Sequence, residues 1–199
     1  MSCATLETLS IVMPANVTLN LNVPNVKNFY LRSMQLPASF TSWVSLEAFE
    51  WLGRTAGLPF PNMSFAPNLH TFGLSFMSIP NTNVNELWTT LPTTIKSVTL
   101  ANVGVQGTIV LPSSWTSLTR LSLRFSGPIN IDLASIRQFH WLQELTVFGG
   151  DFPLEFFYSF PNLKKLVYEL YTLSTIEPEF PHDFFVRMNH LTHLTLKGS

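Results

Sequence analysis

The chain has 199 residues, enough for one full hydrophobic core. Apolar residues make up 46% and charged residues only 12%, about half the usual share, which excludes a disordered chain. A net charge of −1 with scattered signs supplies no field for nucleic acid. No apolar run approaches the roughly 18 residues that cross a bilayer.

The first ten residues, MSCATLETLS, carry neither a basic stretch nor an apolar core, so they do not read as a signal peptide. Cys3 is the only cysteine, which rules out an internal disulfide. That fits a reducing compartment, or an interior piece of a secreted protein. Cys3 falls at an apolar anchor position and reads as a buried structural thiol rather than a nucleophile. Asn16 (NVT) and Asn62 (NMS) are glycosylation sequons. With 14 Asn and 39 Ser or Thr, chance alone yields about three, so two sequons decide nothing.

A single spacing, L-x-x-L-x-L, runs through the chain. It opens at Leu6, Leu9, Ile11 and recurs at Val26, Phe29, Leu31, then at Leu46, Phe49, Trp51. Leu69, Phe72, Leu74 follow, then Ile95, Val98, Leu100 and Leu118, Leu121, Leu123. The last three are Leu142, Leu145, Val147; Leu163, Leu166, Tyr168; and Leu191, Leu194, Leu196. That makes nine copies whose first positions stand 20 to 28 residues apart. The interleaved positions provide an independent check. Of those 27, only Tyr30, Ala48 and Val167 are apolar, where the overall composition would give about 12. A second check lies three residues before each copy: Cys3, Val23, Trp43, Ala66, Pro92, Trp115, Phe139, Phe160 and Met188 are apolar in eight cases of nine, Pro92 excepted.

Alternation over L-x-L predicts a short strand with one buried face. A period in the twenties adds a return segment, so each strand stacks in parallel beside the next. The strands should centre on Leu9–Ile11, Phe29–Leu31, Phe49–Trp51, Phe72–Leu74, Val98–Leu100, Leu121–Leu123, Leu145–Val147, Leu166–Tyr168 and Leu194–Leu196. Two return segments, DFPLEFFYSFPNL (151–163) and EFPHDFFVRMNHL (179–191), align without gaps. The trios Phe157, Phe160, Leu163 and Phe185, Met188, Leu191 are expected on the inward face of short helical turns, begun by Pro153 and Pro181.

This pattern resembles the leucine-rich-repeat family from Leu6 to Leu196. The stretch LPSSWTSLTRLSLRFSGPI looks most like repeats of plant receptor and protozoan surface proteins. The resemblance implies an α/β solenoid, a horseshoe of about nine repeats over residues 1–199 with a parallel sheet on its concave side. It also implies protein binding rather than catalysis. The family places Asn or Cys three residues past the third motif position. This chain has Pro14, Met34, Arg54, Met77, Val103, Ser126, Gly150 and Tyr171 there, so an irregular solenoid is expected. The first repeat starts within a few residues of Met1 and the chain stops just after the ninth, so the array reads as a fragment lacking both caps.

Nothing in the chain spells catalysis. There is no Gly-rich phosphate loop, no G-x-S-x-G elbow and no carboxylate pair with an obvious shared pocket. No cofactor is implied. His190 and His193 form H-x-x-H near His182 and Asp183, but a turn residue and a strand residue diverge, so no metal site is read there.

The positions facing away from the core can be named directly. Arg120, Glu144 and Lys165 should neighbour one another as a charge ladder whose simplest role is mutual neutralisation. Leu52 and Phe148 should face outward despite being apolar. Exposed aromatics beside arginine are what binding hot spots are made of. Two patches for a protein partner follow: Tyr30, Arg32, Glu50 and Leu52 on strands two and three, and Arg120, Arg124, Glu144 and Phe148 on strands six and seven. Between them Gly73, Ser75, Ser97, Thr99 and Ala101 are small and neutral, room for a protruding loop. Low charge and abundant Ser, Thr and Asn favour a cell-surface or secreted recognition module. The missing disulfides and signal peptide favour an intracellular scaffold or substrate adaptor.

Overall fold

The computed structural model describes residues 5–13, 23–33, 43–53, 63–75, 78–79, 85, 88–102, 104–105, 108–125, 131–149, 152–170 and 181–198. Cys3, the sequon asparagines Asn16 and Asn62 and all eight positions that replace the family's Asn or Cys lie outside these residues.

Nine strands form one sheet: β1 (Thr8–Val12), β2 (Asn28–Arg32), β3 (Ala48–Leu52), β4 (Thr71–Ser75), β5 (Ser97–Ala101), β6 (Arg120–Arg124), β7 (Glu144–Phe148), β8 (Lys165–Leu170) and β9 (His193–Gly198). They lie in sequence order, every neighbouring pair parallel. The register is in phase. Leu9 pairs with Phe29, Phe29 with Phe49, and so on to Leu166 with Leu194. All nine expected strands are present, with the expected centres.

The in-phase register has a backbone cause. At each junction the carbonyl that follows the first motif residue by one accepts two N–H groups from the next unit. Glu7 O takes Lys27 N at 2.8 Å and Asn28 N at 3.0 Å, and the pattern repeats to Lys164 O with Thr192 N and His193 N. Before every strand from β2 on, the first motif residue donates to the carbonyl three residues earlier, as Leu118 N does to Trp115 O at 3.1 Å. That tight turn fixes the spacing between the apolar anchor and the motif. Pro92 keeps this turn, because the bond to Ile95 N at 3.3 Å uses the anchor's carbonyl and not its N–H.

Packing follows the same columns. From β2 to β8, the second and third motif residues are at most 2% exposed. Phe29, Phe49 and Phe72 stack down one column, with centroids 5.5 and 6.1 Å apart. Each such side chain contributes on the order of 1.5–3 kcal/mol by leaving water. Tyr168 sits where the pattern reads leucine. Its hydroxyl donates to Phe152 O at 3.0 Å and receives Phe152 N at 3.3 Å, so burial leaves no orphaned polar group.

The return side is varied. It holds 3-10 turns at Met63–Phe65 and Leu154–Ser159, a helix α1 (Leu133–Arg137) and a helix α2 (Phe184–Arg187). A two-residue parallel ladder joins Ser78–Ile79 to Gly104–Val105. Inter-unit side-chain bonds hold the backbone. Asn68 Nδ2 donates to Val44 O at 2.6 Å and Asn162 Nδ2 to His140 O at 2.9 Å. Buried Ser135 accepts Leu111 N at 3.0 Å, while Gln138 Nε2 donates to Leu111 O at 3.1 Å. These asparagines stand just before the strands, so an inter-unit amide bond exists at a place the family pattern does not mark.

One expectation is corrected. Phe157, Phe160 and Leu163 are fully buried, and Pro153 opens the turn at Leu154–Ser159. In the ninth unit, however, Phe185 is 63% exposed, and it is Phe184 that is fully buried. Phe157 lies in the stack with its ring 5.2 Å from Tyr168. Phe185 belongs to the outermost unit, where no described residue stacks beyond it. The same edge leaves Val186 72% and Leu196 37% exposed.

Candidate protein-binding face

Alternation puts the strand residues on either side of the second and third motif positions on the outer face of the sheet, away from the core. The eight residues singled out from the sequence all stand there. The first patch is two register pairs, Tyr30 with Glu50 and Arg32 with Leu52. The second is Arg120 with Glu144 and Arg124 with Phe148. The two patches lie on opposite flanks of β4 and β5, so they remain separate.

Within the first patch, Tyr30 and Arg32 are exposed while Glu50 and Leu52 are half-buried. Glu50 leans over Gly73: a Cβ built on Gly73 would stand 2.9 Å from Glu50 Cγ. The glycine is thus the hollow into which the glutamate folds. Sequence reading gave Gly73 only as a small, neutral spot, because the contact depends on a side chain 23 residues earlier.

The second patch is organised by one contact. The Arg124 guanidinium carbon lies 4.6 Å from the centre of the Phe148 ring. Seated over the ring, the guanidinium is held in place by a cation–π contact. It also explains how Phe148, an apolar residue on the outer face, is kept half-buried. Among the described residues Arg124 has no carboxylate within 4.0 Å; the ion pairs found there are Lys27–Glu7, Arg187–Asp183 and Lys197–Glu169.

The charge ladder is present in register but not as ion pairs. Glu144 stands between Arg120 and Lys165 on adjacent strands, yet neither cation reaches it within 4.0 Å. Flanking β6 is an open depression of about 390 Å³. Hydroxyls of Ser97, Thr99, Ser122 and Thr146 line it, with Arg120 and Arg124 at its two ends and Glu144 on one wall. The small side chains of β4 and β5 create the room, and β6 and β7 supply the charge.

The two histidine rings have different neighbours. His190 Nδ1 lies 3.1 Å from Asn189 Oδ1 in the turn, and His193 Nδ1 lies 3.0 Å from Thr192 Oγ1 on β9. Among the described residues no three His, Cys, Asp or Glu side chains gather as metal ligands, and no helix is long and apolar enough to cross a membrane.

No family model and no curated protein matches the chain. Among solved structures it is similar to an internalin (InlF) from Listeria monocytogenes strain 4b F2365, with 14% identity and a TM-score of 0.50. The match covers 93% of this chain and 60% of that one. At that identity the likeness is one of fold, and it agrees with a solenoid of leucine-rich-repeat type.

Proposed function

We propose that the chain is a protein-recognition module whose partner sits on the outer face of the sheet. The observation that carries this reading is the Arg124–Phe148 stack beside an open, hydroxyl-lined depression. An aromatic anchor with a pre-set arginine is the composition of a binding hot spot. The face is a rigid ladder of nine strands, so a bound partner orders little backbone. Tyr30 and Arg32, on the far side of β4 and β5, serve as a second point of attachment. In this reading the whole array is one module, non-enzymatic, and displayed at a cell surface or secreted. Its low charge and wealth of Ser, Thr and Asn support that setting.

Site-directed photo-crosslinking tests the placement. A benzophenone side chain at Ser122, inside the depression, should capture a partner protein in the native setting. The same group at Glu155, exposed on the return side, should not. Capture from Glu155 alone would move the binding surface to the other face. Fractionation of the cells that make the protein tests the setting, with recovery only from the cytosol favouring an intracellular scaffold.

A further inference from the structure

We infer that the depression on β5–β7 selects an acidic side chain, an aspartate or glutamate carried on a protruding loop of the partner. This rests on the reading of the outer face as a binding surface and adds the chemistry it reads. Three observations converge. First, Arg124 is exposed, seated over the Phe148 ring and free of any carboxylate within 4.0 Å among the described residues. Second, its register neighbour on the other side is Ala101, and beyond that Ser75, so a ligand reaches the guanidinium edge without displacing a side chain. Third, the surrounding wall is made of hydroxyls, which donate to a carboxylate.

Charge on the walls agrees. Arg120 and Arg124 lie four residues apart on β6, with Ser122 between them, and Glu144 is the carboxylate that lines the hollow. Glu144 stands beside Arg120 in register, at the end of the strand away from Arg124. The carboxylate lining the hollow thus stands at the Arg120 end, and none lines the Arg124 end. A planar guanidinium forks onto a carboxylate through two parallel N–H bonds, and seating it on the ring in advance removes part of the ordering cost. A basic or apolar loop would leave that cation desolvated and unpaired.

Selection of disulfide-closed peptides with randomised seven-residue loops, displayed on phage and panned on the whole chain, tests this. Clones that occupy the depression should lose binding to Thr99→Trp, which fills its middle. Those clones should be enriched in Asp or Glu. Each should weaken about tenfold or more when its acid is changed to the amide, or when Arg124 is changed to Gln. The two changes together should cost little more than either alone, and Arg124→Lys should recover part of the loss. Depression-binding clones without an acidic residue, or indifferent to Arg124→Gln, would overturn the acid selectivity and leave the surface reading standing. Clones indifferent to Thr99→Trp, or no clones at all, would sink the surface reading itself.

Discussion

At the scale of single residues, two positions carry more of the fold than their types suggest. A Cβ added to Gly53 would fall 2.0 Å from Ser33 O and 2.7 Å from Trp51 Nε1. Trp51 already donates to that carbonyl at 3.1 Å, so neither neighbour has room to retreat. Gly53→Ala should lower the unfolding free energy by about 1–3 kcal/mol, read by chemical denaturation. A change within about 0.5 kcal/mol would show that the junction between units two and three yields easily. Tyr168→Phe keeps the ring but strands the buried N–H and C=O of Phe152, and should cost about 1–3 kcal/mol in the same assay. Neither role is legible in the sequence. Gly53 follows a strand like any turn residue, and Tyr168 fills a leucine slot; both depend on a backbone 16 to 20 residues away. The inward side chains, by contrast, are legible one by one, because period-two alternation assigns each to a face.

At the scale of elements, the strands were readable because each carries its own period and its own anchor three residues earlier. The return segments were not. A two-residue ladder such as Ser78–Ile79 with Gly104–Val105 is too short to hold a period. The aligned trio misplaced Phe185 because the alignment saw like sequence and not the missing neighbour. For the candidate site, register made Arg124 and Phe148 neighbours on paper, but the stacking of one on the other is a rotamer outcome that spacing does not encode.

Units eight and nine are latched by side chains on the return side. Asp183 accepts Arg187 Nε, Tyr158 donates its hydroxyl to Asp183 at 3.4 Å, and the Arg187 guanidinium lies 5.0 Å from the Tyr158 ring. The hydrogen bond from Arg187 is the chief cause that holds the Asp183 carboxyl below its ordinary value, against the opposing pull of desolvation. A depressed carboxylate contributes stability above the unfolded-state value, near 4, and loses it as pH falls through the lower folded-state value. Amide protection in 181–198 should therefore decline relative to β5 as pH is taken from about 5 to below 4, and Asp183→Asn should flatten that decline. An unchanged pH response in the variant would show that the latch contributes nothing to docking the ninth unit.

At the scale of the whole molecule, the stack is one-dimensional and every unit leans on its neighbours. The second and third motif residues are fully buried in the inner strands, while Leu9, Ile11 and Leu194 are only partly so. Hydrogen exchange should be slowest in β4–β6 and fastest in β1 and β9, and uniform protection would contradict nearest-neighbour stacking. The same geometry makes the outer sheet face a fixed surface on which two patches hold their spacing.

The most direct test of that surface is the affinity of the captured partner for four forms of the chain: parent, Phe148→Ala, Arg124→Ala and Glu155→Ala. All three substituted residues are at least half-exposed or outward-facing, so each variant should fold as the parent does. Removing the ring or the guanidinium should weaken binding about tenfold or more, while the return-side change leaves it within about twofold. Full affinity in the Phe148 and Arg124 variants, with loss confined to Glu155→Ala, would contradict the assignment of the binding face.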